Sequence, residues 1–271
     1  MVTITIKNGG ELQRKTEKRG TIHNVFILDR SGSMALSGST VRGGVSRYNA
    51  AITGINSELT VLRASEYDNK VSLFEFDSVK DGEERIVEHY FATDASKTTE
   101  FTGAGPSGNT PLYQTIDYVI NLMLRKVSND DTVLMSIYTD GQHNGHWGKH
   151  ANGDACKALI ADMEKNRNFV FNFVGTERDT ALAIRDLGIS RGNTIAYNGT
   201  SEGFSKGIMQ LQSAKEKYRG SYFAGEQVDN FNLVSNSSTN EVTALNRPSL
   251  TDVQKKANEI IEQSKTKGLS K

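Results

Sequence analysis

The sequence predicts an α/β fold, a doubly wound and mainly parallel sheet with helices on both faces. Three observations point there. Short apolar runs alternate with longer stretches whose apolar residues recur every three or four positions. The run Val25-Phe26-Ile27-Leu28 ends directly in the polar loop Asp29-Arg30-Ser31-Gly32-Ser33, and the crevice beyond the strand ends is where an open α/β sheet usually takes its ligands. The chain has 271 residues, 36% hydrophobic and 24% charged, enough for one large soluble α/β domain with appendages or for two small domains.

In chain order, Val2–Ile6 predicts a short edge strand within an N-terminal arm of residues 1–20, whose basic stretch Gln13–Arg19 reads as solvated. Ile22–Leu28 is the first buried strand. Ala35–Ser46, rich in Gly and Ser, predicts a mobile loop. Tyr48, Ile52, Ile55, Leu59 and Leu62 then form one face of an amphipathic helix. Val71–Phe76 predicts a strand, and the more polar Arg85–Phe91 an antiparallel strand at an edge. Pro111 suits the first turn of the next helix, where a missing N–H costs nothing, and Ile116, Val119, Ile120, Met123 and Val127 form its buried face. Thr132–Tyr138 is a strand leading into Thr139-Asp140-Gly141. Residues 154–166 predict a helix with Leu159, Ile160 and Met163 inward. Phe169–Val174 is a buried strand, Ala181–Leu187 a short helix and Thr194–Tyr197 a last strand. Phe204, Ile208 and Leu211 mark a final helix, which closes the domain near residue 217. Residues 218–271 read as a polar Asn/Ser-rich linker and a weak helix over about 251–265.

Composition narrows the function. Lys plus Arg equals Asp plus Glu at 32 each, which argues against a general nucleic-acid binder. Cys156 is the single cysteine, so no internal disulfide forms and a reducing compartment suits the chain. The N-terminus lacks the basic region and apolar core of a signal peptide, and no stretch approaches the length of a membrane span. A cytoplasmic protein is expected, with association with a virion assembled inside the cell equally compatible.

The chemistry gathers at strand ends. Asp29, Ser31 and Ser33 leave the first strand on alternate residues, and one carboxylate with two hydroxyls is a hard-oxygen set that suits Mg²⁺ or Mn²⁺. Gly108-Asn109-Thr110-Pro111-Leu112 and Thr139-Asp140-Gly141 supply two further loops, and small residues at Gly32, Gly108 and Gly141 let the backbone turn toward a shared ion.

D-x-S-x-S, a Thr within G-x-T-P-L about 80 residues on, and T-D-G about 30 residues later resemble the von Willebrand factor A (vWA) domain and its metal-ion-dependent adhesion site (MIDAS). The resemblance covers residues 21–217 in the family's order. Phe173-Val174-Gly175-Thr176 followed by Gly188-Ile189 is similar to small vWA proteins of bacteria and phages. It implies a Rossmann-like fold in which Ser31, Ser33 and Thr110 offer hydroxyl ligands to Mg²⁺ or Mn²⁺, and Asp29 and Asp140 act directly or through water. One coordination position then stays open for an Asp or Glu of a partner protein. The implied function is protein binding, not catalysis.

Other readings stand beside it. The tail makes a structural subunit of a larger assembly, a virion among them. Gly103–Thr110 resembles a phosphate loop with Asn109 in place of its Lys. His143, His146 and His150, with Asp154 and Cys156 behind them, form a polar rim loop, a zinc site or the acid–base group of a metal-assisted hydrolase. Asp77 reads as an acceptor behind the metal ligands or as an exposed turn residue. Arg30 reads as turned outward, toward a partner carboxylate or plain solvent. Trp147 reads as a contact anchor on the rim or as partly buried.

Overall fold

The computed structural model describes residues 20–36, 45–78, 84–139, 143–144, 153–197 and 201–224, the last with side chains from residue 206 onward. The expected Val2–Ile6 strand, the loop over 37–44, Asp140, Gly141, His146, Trp147, His150 and everything after Ala224, including the 251–265 helix, lie outside the described residues. No helix among those described is long and apolar enough to cross a membrane.

Among the described residues six strands form one sheet: β1 (Ile22–Asp29), β2 (Asn69–Ser78), β3 (Glu84–Asp94), β4 (Thr132–Tyr138), β5 (Phe169–Thr176) and β6 (Thr194–Tyr197). Their order is β3-β2-β1-β4-β5-β6. All pairs are parallel except β2–β3, so the polar strand is an antiparallel edge as its composition predicts. The order reverses direction between β1 and β4, and at such a switch point the connections leave to opposite sides and open a crevice.

Every residue of β1 is buried. Val25 and Ile27 face a core built with α2 (Leu112–Leu124) and α3 (Gly153–Asn166), while Phe26 and Leu28 face α1 (Arg47–Ala64) and α5 (Ser201–Ala224). A strand covered on both faces must be apolar on both, which is why this run does not alternate. Ile55, Leu59 and Leu62 of α1 and Ile116, Val119, Ile120 and Met123 of α2 are all buried, as their spacing predicts.

Some boundaries differ from expectation. α2 stops at Leu124, so Val127 packs on the core from the turn beyond the helix. α4 (Glu177–Leu182) starts before Ala181 because Thr176 and Asp179 cap it reciprocally; a π turn, Ala183–Leu187, then ends at Gly188. The final helix is longer than its apolar residues alone mark out. α5 runs to Ala224, and Tyr218 and Arg219 within it are buried.

Candidate metal centre

Asp29 ends β1 at the switch point and is fully buried. Its Oδ1 accepts the Ser31 N–H (2.7 Å), and its Oδ2 accepts the Thr139 hydroxyl just past β4 (2.6 Å). The carboxylate therefore spans the two strands between which the sheet order reverses. The Ser31 amide bond folds the chain back over Asp29 and into a 3-10 turn, Gly32–Ala35. The turn leaves the Ser31 and Ser33 hydroxyls 3.1 Å apart. Neighbouring oxygens in an octahedral Mg²⁺ shell lie about 3.0 Å apart, from metal–oxygen bonds of about 2.1 Å. The pair thus fits one edge of such a shell.

Thr110, also buried, arrives on a loop fastened from several sides. Gly32 N–H donates to Gly108 O (3.0 Å) and Ser107 N–H to Arg30 O (2.5 Å), tying it to the first loop. Ser78, at the end of β2, exchanges both backbone hydrogen bonds with Asn109 at 3.1 Å. This approach needs glycine at 108: its φ is +70°, and a Cβ there would sit 1.9 Å from Ser78 O. Gly32 is different. Its φ is not positive and a Cβ would meet Gly108 O at an ordinary 3.6 Å, so the first turn does not depend on it as expected.

Asp77 is fully buried, not an exposed turn residue. It accepts from Arg85 Nε (2.9 Å) and Ser107 Oγ (2.7 Å), with Arg30 Nε at 3.2 Å. Arg30 consequently does not turn outward: its side chain is 11% exposed and lies on Asp77. A buried carboxylate draws in cations because an unpaired charge there is costly.

A second buried carboxylate steadies the start of the same loop. Glu75 accepts from Tyr48 OH, Ala104 N–H (3.5 Å) and His89 Nε2 (2.7 Å). Burial would raise its pKa, but the bonds from His89 and Tyr48 win and hold it below the ordinary glutamate value. The Tyr48 phenol is pushed up to about 12 by burial and by Glu75. These contacts weaken the phosphate-loop reading. The amides of Ala104, Gly105, Ser107 and Asn109 already donate to Glu75, Tyr48, Arg30 and Ser78, whereas a phosphate cradle presents them to its ligand.

On the third loop, the His143 ring stacks on Tyr113 at 4.0 Å and 17°, and Asn144 bonds to Thr110. Cys156 is buried in the core, and burial pushes its thiol up to about 12, far from the thiolate a zinc site requires. Among the described residues no three His, Cys, Asp or Glu side chains gather at one point. Thr139 and Asn144 escaped the sequence reading. Thr139 was already inside the T-D-G motif, but nothing in that motif says which way its hydroxyl points.

No protein-family model matches the chain, and no curated protein is similar to it in sequence. Solved structures resemble it in fold alone. The PilB minor pilin from Streptococcus sanguinis superposes with a TM-score of 0.54 at 12% identity, covering 78% of this chain and 64% of that one. Proximal thread matrix protein 1 from the mussel byssus gives 0.47 at 14% identity, covering 72% and 46%. A second structure of it, described as having a zinc-occupied MIDAS motif, gives 0.47 at 13% identity, covering 73% and 46%. The chain thus spans about half to two thirds of the length of these proteins. With its strand order, its single antiparallel edge and its likeness to the pilin, the chain has a von Willebrand factor A-type fold.

Proposed function

We propose that this chain is a divalent-metal-dependent protein-binding module without catalytic activity of its own. Ser31, Ser33 and Thr110 would hold Mg²⁺ or Mn²⁺ through their hydroxyls, with Asp29 and Asp140 acting directly or through water. When bound, the ion supplies an electrophilic position for an Asp or Glu side chain of a partner protein. The observation that carries this reading is Asp29, a fully buried carboxylate at the topological switch point, followed in the same loop by the close hydroxyl pair of Ser31 and Ser33. Hard neutral oxygens add no charge, so few anions oppose a divalent ion and its attraction for an outside carboxylate persists.

The chain's own residues do the preparatory work. Ser31 N–H and the Thr139 hydroxyl fix the Asp29 carboxylate. Asp77 holds Arg30 back, which keeps a guanidinium beside the first loop from closing over the ligand set. Zinc, carried by the mussel protein at its MIDAS motif, is a rival ion to test alongside Mg²⁺ and Mn²⁺. The test is capture of partner proteins from the source cell on immobilised native chain and on Asp29→Ala, each with and without chelator. A protein retained by the native bait and lost in the other three arms supports the reading. Identical recovery in all four arms contradicts it.

A further inference from the structure

We propose that Asn144 is a positioning residue of the metal centre, which sets the place of Thr110 by clasping its backbone from the loop that also carries Asp140. The proposal rests on the metal-site reading above and names a determinant of that site. Thr110 N–H donates to Asn144 Oδ1 at 2.5 Å, and Asn144 N–H donates back to Thr110 O at 3.2 Å. One residue thus takes both backbone groups of a proposed ligand. The next residue is Pro111, which has no N–H to offer, so the Thr110 amide is the last backbone donor before α2 begins.

The neighbouring residue strengthens the grip. His143 stacks on Tyr113, the second residue of α2, so two successive residues hold positions 110 and 113. Among the described residues no strand pairing joins these two loops, because β1 lies between β2 and β4 in the sheet. Their registration therefore rests on the two bonds between Thr110 and Asn144 and on the stacking of His143 on Tyr113, and Asn144→Ala removes the bond that involves its side chain. Asn144 is itself exposed, so truncating it opens no cavity. That separates its effect on the site from an effect on the fold. Partners that orient a metal ligand typically change metal affinity by about 10–100-fold.

The experiment is calorimetric titration of Mg²⁺ into the metal-free full chain, with the melting temperature of each metal-free protein measured in parallel. Asn144→Ala should bind Mg²⁺ at least about tenfold more weakly while melting near the native temperature. Asn144→Asp keeps an oxygen acceptor on the same short arm and should recover most of the affinity. Asn144→Glu carries the same charge on a longer arm and should not. Native-like affinity in Asn144→Ala overturns the assignment, and so does equal recovery by Asp and Glu, which would make charge the cause. A native chain that takes up no Mg²⁺ overturns both this assignment and the metal reading; native binding with an indifferent Asn144→Ala overturns the assignment alone.

Discussion

Two parts of this molecule bury charge, and they do so in opposite ways. Under α5, Lys215 and Arg219 are completely buried beside Glu58, with Lys215 Nζ 2.7 Å from the Glu58 carboxylate and 5.1 Å from the centre of the Phe26 ring. Arg219 also donates to Asn24 (3.2 Å) and to Glu216 (2.9 Å). Burial lowers the Lys215 pKa, and Glu58 works against that. Here cations and carboxylates answer one another inside the protein. At the strand ends, the Asp29 carboxylate is instead held by an amide and a hydroxyl, with two further hydroxyls following it in its own loop. Asp77, one strand away, follows the α5 pattern and takes Arg30 and Arg85. A carboxylate matched to fixed cations serves the fold; one held by an amide and a hydroxyl at the strand ends is, under the proposal above, the place for a cation from outside.

The sharpest way to break that contrast is to unbalance each part separately. Glu58→Ala leaves the buried Lys215 without its carboxylate, while Arg219 keeps Glu216, and should lower unfolding free energy by about 3–5 kcal/mol, read by urea denaturation. Replacing Glu58 and Lys215 together with leucine should cost much less than the single change. If Glu58→Ala is neutral, the α5 cluster does not hold the helix. Gly108→Ala comes next: a left-handed backbone and a clash with Ser78 O should cost about 2 kcal/mol or more. It should weaken divalent-ion affinity as well, since Thr110 must move with the loop; unchanged affinity would separate the loop from the site. His143→Ala should be milder, with Mg²⁺ binding weakened and stability nearly unchanged, while His143→Phe keeps the ring on Tyr113 and the affinity.

The smallest expected effect lies at the opposite end of the sheet. His23 is buried, and burial lowers its pKa below the ordinary 6.5 despite Asp131 at 3.6 Å. The unfolded chain then binds a proton that the folded chain refuses. Stability from this group is complete above pH 6.5 and is lost as pH falls from there toward the lowered folded value. Melting temperatures between pH 7.5 and 5.5 should fall in the native chain and fall less in His23→Gln. Parallel curves would remove His23 as the cause.

Much of this was legible in the sequence, for a physical reason. Buried parallel strands are written as unbroken apolar runs, so β1, β4 and β5 announced themselves, and the polar β3 was recognisable as an edge. The placement of Asp29, Ser31, Ser33 and Thr110 was legible because each sits where a strand ends or just before a helix begins, while their part in holding a metal belongs to the proposal. Arg30 was misjudged for the opposite reason, and of the two readings of Asp77 the exposed turn falls away. The two pair across 47 residues of sequence, and only the parallel register of β1 with β2, which sets Asp29 beside Phe76, brings them together. The α5 cluster was equally hidden, because Lys215 and Arg219 look like solvated charges until Glu58 and Asn24 are placed under them. Sequence patterns carry what neighbours along the chain decide; pairings between distant polar residues are decided by the sheet.

The most direct test of the metal centre is titration of Mn²⁺ into the metal-free chain, with the free aqueous ion followed by electron paramagnetic resonance. The native chain should remove a single ion per molecule from the free signal, Mg²⁺ should release it, and Asp29→Ala should remove none. A native chain that leaves the Mn²⁺ signal entirely free would contradict the proposal that Asp29, Ser31, Ser33 and Thr110 cradle a divalent ion.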